Sequence, residues 1–143
     1  MTQPQGTTLR YNQIKVGDKL PEIRVELTPT VIIASAIASR DYQDVHHDYH
    51  MARKRGVPDI FMNILSTNGF VGRFITDWAG PQAILKKVGI KLGAPNFAGD
   101  SMRMTGTVTA KHDAEKVVEV EVVGKNSYGN HVTGTVRVAL PKA

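Results

Sequence analysis

Residues 40–48 hold three carboxylates (Asp41, Asp44, Asp48) and two imidazoles (His46, His47), directly after an apolar, helix-like run. An acid and a histidine five positions apart, Asp41 and His46, suit activation of water, in which one group takes a proton while the other holds or returns it. Taken singly, each group has a plainer reading. Asp41 could be a helix-exit carboxylate paired with Arg40 or Arg53, and His46 a hydrogen-bonded structural histidine. His47 and His50 read as surface or supporting groups, and Asp44 and Asp48 as caps of the next turn.

Other chemistries fit less well. His46 and His50 stand four apart with Asp48 between them, as two metal ligands on one helical face would. Zinc protease motifs of that type carry Glu straight after the first His, where this chain has His47, and His112 and His131 stand isolated. The expectation is therefore no metal. Ser66 is weaker still as an acyl-transfer nucleophile, since nothing around it resembles a nucleophile elbow.

At 143 residues the chain suits one domain with a real core. The expected organisation is a loose polar arm at 1–12 followed by a single domain at 13–143. Cysteine is absent, which rules out disulfides and thiolate chemistry and fits a reducing cytoplasm. No apolar run is long enough to span a membrane, and the first residues lack the basic start and apolar centre of a secretory signal. The formal charge is +5, but the cations are scattered and not interleaved with aromatics as in a base-stacking groove, so nucleic acid is not the expected partner. The clusters Arg53-Lys54-Arg55 and Lys86-Lys87 could instead meet the phosphates of a small ligand.

The elements that must position the acid–histidine pair follow from periodicity. A short strand is expected at 23–27. Thr28 as N-cap and Pro29 at the first helical position then start a helix that is apolar nearly all round, hence mostly buried, and ends near Arg40. Asp59 reads as the cap of a long helix running to about Trp78 and stopped by Gly80-Pro81. Gly69 and Gly72 each cost that helix about 1 kcal/mol, a cost explained by close approach of a wrapping sheet. After Pro81 the period becomes two, giving strands at 88–92, 101–111, 116–126 and 132–140. Turns are expected at 113–115 and 127–130, and a longer loop at 93–100. The order predicts an α+β fold of hot-dog type, an antiparallel sheet wrapped around a long central helix. The third and fourth of these strands should leave edges that pair with a second subunit.

On these residues the chain resembles the MaoC-like hydratases of the hot-dog superfamily over nearly its whole length. That family's signature of Asp, an Asn-Pro-containing spacer and His, followed by Asp, Ala and Gly, is matched by Asp41, His46, Asp48, Ala52 and Gly56. Its later Pro-x-x-x-Gly-Asp loop is matched by Pro95 to Gly99-Asp100. Residues 40–48, 59–65 and 76–81 are further similar to the small subunit of the heteromeric enoyl-CoA hydratases of actinobacterial steroid side-chain degradation. Two departures stand out: Gln43-Asp44 replaces Asn-Pro, and the His-Gly pair that opens the family's central helix is missing, with Asn63 in that neighbourhood.

The resemblance implies a cytoplasmic hydratase of trans-2-enoyl-CoA thioesters that needs no cofactor. It also implies a bulky steroid acyl group and a degenerate hot-dog partner chain in an α2β2 heterotetramer. Asp41 would be the base, His46 would orient the water and shuttle its proton, and the backbone N–H of Asn63 would stabilise the enolate oxygen. Three rivals remain open here: a homodimeric (R)-specific hydratase or dehydratase for ordinary acyl chains, a non-catalytic scaffold subunit, and a thioesterase, which needs a carboxylate on the central helix.

Overall fold

The computed structural model describes residues 6–142. Strand β1 (Ile23–Glu26) is followed by helices α1 (Pro29–Ala38), α2 (Tyr49–Lys54) and α3 (Ile64–Ala79), then by strands β2 (Ile84–Leu92), β3 (Ser101–His112), β4 (Val117–Asn126) and β5 (Gly129–Ala139). The strands form one antiparallel sheet in the order β1-β3-β4-β5-β2. Alternate residues of β3 and β4, among them Met102, Met104, Val108, Val118, Val120 and Val122, are buried together with Val71, Phe74, Ile75 and Ala79 of α3. This is the period-two face of a sheet curled over one stripe of a helix, and it is the hot-dog arrangement.

Helix α1 starts as its sequence dictates: Thr28 Oγ1 accepts from Val31 N–H at 3.1 Å, with Pro29 at the first position. It ends at Ala38 rather than near Arg40, with Ser39 as C-cap. It is not mostly buried. Only Ile32 and Ala36 are, while Ala34, Ile37 and Ala38 face outward, because one chain covers one side of the helix and supplies nothing for the other.

Several expectations are corrected. Helix α3 begins at Ile64 and is capped by Asn63; Asp59 instead accepts from the adjacent Ile60 N–H. Residues 60–62 form a strap whose backbone bonds to the loop before β3: Met62 N–H donates to Asn96 O, and Ala98 N–H to Ile60 O. That demand for extended backbone delays the helix by one turn. Strand β2 begins at Ile84, four residues before the expected start, and it is the long free edge. The strands expected to leave edges are interior, each flanked on both sides. Exposed Ile84, Leu85 and Leu92 share the β2 edge with exposed Lys86, Lys87 and Lys91.

The expected loose arm is docked where it is described. Leu9 N–H donates to Ala79 O, Tyr11 N–H donates to Pro141 O, and the Tyr11 ring is buried, with its hydroxyl on Asp113. Residues 1–5 of that arm lie outside the described residues.

The reason advanced for Gly69 also changes. Nothing lies within 4 Å of where its side chain would be, and a methyl at Gly72 would only touch Leu85 Cδ1 at 3.5 Å. The close helix–sheet approach is made at Gly106 of β3, where a Cβ would come within 3.1 Å of Phe74 on α3. Replacing Gly69 by Ala should therefore stabilise the isolated chain by about 1 kcal/mol, the helical propensity difference. Gly80, at φ 96 and ψ 173, sits in backbone space reserved for glycine, and a Cβ there would collide with the Thr7 carbonyl. Gly80→Ala should destabilise by about 2 kcal/mol. Urea midpoints of the two variants check both signs.

Candidate active site

Asp41 is delivered by the reversal that ends α1. Arg40 adopts φ 59, and the Asp41 N–H turns back to the Ala36 carbonyl at 3.0 Å. This left-handed conformation is uncommon for a residue with a side chain. A 3-10 turn at Asp44–His46 then brings the histidine round to the carboxylate. Asp41 Oδ2 and His46 Nε2 stand 3.5 Å apart, with the imidazole side chain 8% and the carboxylate 26% exposed.

The tautomer of His46 follows from its other nitrogen. Nδ1 lies 2.7 Å from the Phe61 carbonyl oxygen, which can only accept, so Nδ1 carries the hydrogen. The neutral ring therefore presents an Nε2 lone pair to Asp41. Phe61 holds this loop three ways. Its carbonyl takes the Nδ1–H, its N–H donates to Val45 O, and its ring meets the imidazole edge-on with centroids 4.8 Å apart. Phe61 is in turn bridged to Phe97 of the loop before β3.

Asp41 makes no ion pair with Arg40 or Arg53. Its Oδ2 accepts from Asn63 Nδ2 at 3.1 Å and its Oδ1 from Gln43 N–H at 3.2 Å. The Asn63 hydrogen bond is the main reason the carboxyl is held below the usual carboxylate range; burial opposes it, and Gln43 N–H and His46 add smaller downward effects. With Nδ1–H held by Phe61, a neutral ring sets its Nε2 lone pair 3.5 Å from the Asp41 carboxylate oxygen. A molecule with two O–H donors fits that arrangement.

Asn63 is 1% exposed. Its Oδ1 caps α3 by accepting from Ser66 N–H at 3.1 Å, and from the Ser66 hydroxyl as well. Its Nδ2 donates to Ser39 Oγ at 2.9 Å in addition to Asp41. Asn63 is the N-cap of α3, and among the described residues no group accepts its backbone N–H.

The flanking polar residues have other roles. Asp44 is paired bidentately with Arg55, at 2.7 and 3.0 Å, which lowers its pKa. Asp48 caps α2 through Met51 N–H. His50 lies on α2 and His46 on the preceding turn, so they do not share a helical face, and no cluster of three metal-ligating side chains occurs among the described residues. His131, expected to stand alone, is buried under the first turn of α3: Nδ1–H donates to Ala94 O at 2.7 Å and Nε2 accepts from the Thr67 hydroxyl at 2.8 Å. The sequence leaves the Asn63 side chain either lining a pocket or hydrogen-bonding within the helix; it does the latter through Ser66, an N-cap pattern, and its bond to Asp41 is not foreseen.

No family model matches the chain. Over 125 residues it is 47% identical to the 3-oxo-4,17-pregnadiene-20-carboxyl-CoA hydratase beta subunit of Mycobacterium tuberculosis, covering 87% of this chain and 95% of that one. It is similar to a chain in the crystal structure of the ChsH1-ChsH2 complex from the same organism, with a TM-score of 0.85 and 47% identity over 88% of this chain and 98% of that one. It shares the fold of the (R)-hydratase from A. caviae involved in PHA biosynthesis, with a TM-score of 0.83 and 20% identity over 90% and 98% of the respective chains.

Burial pushes the His131 pKa down from 6.5, against the Ala94 hydrogen bond that favours the charged form. The unfolded chain then binds a proton that the folded chain refuses, so stability falls as pH drops below the unfolded value. The carboxylates with lowered pKa lose their contribution only in a lower window, below the ordinary 3.8. Between about pH 7 and 5, where an ordinary histidine takes up its proton, wild type should lose stability and His131→Gln should lose less of it. Denaturant midpoints across that range measure the difference.

Proposed function

The chain belongs to the MaoC-like hot-dog hydratases, and from that premise we propose that it adds water across trans-2-enoyl-CoA thioesters as one subunit of a heteromeric enzyme. The acyl group we assign is a bulky steroid side chain, as in the name of the mycobacterial relative. We place it in the cytoplasm; none of its described helices is long and apolar enough to cross a membrane. No cofactor is needed for the chemistry proposed.

The observation that carries the reading is the pair Asp41 Oδ2 and His46 Nε2, two acceptors 3.5 Å apart with the His46 tautomer held by Phe61 O. One water donates a hydrogen to each. Asp41 takes its proton as the water oxygen bonds to the β-carbon, and the π electrons move toward the thioester carbonyl, leaving an enolate. The N–H of Asn63, at the positive end of α3, stabilises that oxygen. The enolate collapses, and its α-carbon takes the proton from the Asp41 carboxyl. Water is consumed, and the enzyme returns to its starting state.

The partner is supported by the uncovered apolar surface: Ile84, Leu85 and Leu92 on β2, and Ile37, Ile64 and Leu65 beside the site on α1 and α3. We propose a second hot-dog chain in an α2β2 assembly that covers them; the similar chain in the ChsH1-ChsH2 crystal structure is likewise part of a two-component complex. A thioesterase would need a carboxylate near the head of α3. Its one acid, Asp77, lies in the last turn on Arg73.

Asp41→Asn should lower kcat about 10³-fold and His46→Gln about 10²-fold, within the usual range for a lost proton-transfer group, with fold and assembly unchanged. Turnover near wild type in Asp41→Asn overturns the assignment. Unaltered hydration by the complex after both replacements would make this chain a scaffold. Full activity of the purified chain alone on crotonyl-CoA would replace the heteromer with a self-sufficient homodimer.

A further inference from the structure

The side chain of Asn63, as distinct from its backbone, has a place in the chemistry. We propose that the Asn63 amide is a positioning residue for the hydration: it holds the Asp41 carboxylate with Oδ2 turned toward His46. The inference rests on the reading of Asp41 and His46 as the water-activating pair.

The amide is saturated and its orientation is dictated. Ser66 N–H can only donate, so the atom 3.1 Å from it is the oxygen, and Nδ2 must face the other way. Both hydrogens of Nδ2 are then used, one on Asp41 Oδ2 at 3.1 Å and one on Ser39 Oγ at 2.9 Å. The Ser39 hydroxyl is free to accept because its own hydrogen goes to the last turn of α1, with Ser35 O at 2.8 Å and Ala36 O at 3.0 Å. One buried group thereby ties the C-terminus of α1, the head of α3 and the carboxylate together.

A role in capping alone would be indifferent to what Nδ2 touches. Aspartate and serine cap helices about as well as asparagine. In place of Asn63, however, an ionised aspartate would carry no hydrogen on either oxygen, and a serine hydroxyl would be too short to reach Asp41. The local consequence is chemical. The Nδ2–H bond is the largest of the effects that depress the Asp41 pKa, so its loss moves the carboxyl upward, and a second carboxylate at the same distance moves it further.

The test is the pH profile of kcat/KM for the assembled enzyme carrying Asn63→Ser or Asn63→Asp, beside Asp41→Asn. The acid limb should rise in the order wild type, Asn63→Ser, Asn63→Asp, by about one pH unit or more for Asn63→Asp, the size expected of a neighbouring like charge. Thermal midpoints should fall near neutral pH, more for Asn63→Asp than for Asn63→Ser, because a carboxylate placed beside Asp41 costs the folded state what it adds to the Asp41 pKa. The position of the limb does not depend on how much enzyme is folded, so partial loss of stability leaves the readout intact. If both Asn63 variants keep the wild-type limb while Asp41→Asn is inactive, the positioning role is wrong and the hydratase reading stands. Turnover by Asp41→Asn sinks both.

Discussion

A buried carboxamide that must satisfy four hydrogen-bond demands at once is the constraint around which the site is arranged. An unpaired polar group inside a protein costs about 1–3 kcal/mol, so each partner of Asn63 is confined by the others. Helix α3 starts where its cap is, α1 stops where Ser39 can accept, and Asp41 lies where the remaining hydrogen points. A second buried link, from Thr67 through His131 to Ala94, ties the same helix head to β5 and to the loop before β3. The sheet curled over Phe74 and Val71 fixes where the helix axis runs. The polar links fix how far along that axis the Asp41–His46 pair sits.

Much of this is legible in the order of residues alone. Period-two alternation after Pro81 marks four of the five strands, and Thr28-Pro29 and Gly80-Pro81 mark helix ends that the structure keeps. That Asp41 and His46 come together is legible because local spacing carries it: one reversal and one 3-10 turn join residues five apart. What local pattern does not carry is missed. Asn63 meets Asp41 across 22 positions, His131 meets Thr67 across 64, and the order of strands depends on contacts longer still. The start of α3 is misplaced because Asp59 is a competent cap by type, and only the bonds of the 60–62 strap to Asn96 and Ala98 show that the backbone there is needed elsewhere.

The aromatic residues near the site form a chain of edge contacts from His46 through Phe61 and Phe97 to exposed Tyr128, at centroid distances of 4.8, 6.0 and 5.6 Å. Such contacts add about 0.5–1.5 kcal/mol each beyond burial and prefer one geometry. Here they back the imidazole with material from the opposite end of the sequence, so the orientation of His46 is set by the fold and not by its own loop. The strained Arg40 backbone fits the same picture. A left-handed residue persists where its surroundings leave no other choice, and the return bond from Asp41 to Ala36 is that restraint.

The uncovered edge of β2 bears on the life of the polypeptide between ribosome and assembly. Exposed strand edges recruit whatever backbone comes near, and this one carries Lys86, Lys87 and Lys91 among its aliphatic side chains. Two such edges meeting would bring ammonium groups of like sign together with no acid on the strand to offset them. That repulsion opposes pairing of two β2 edges, and it weakens as ionic strength rises.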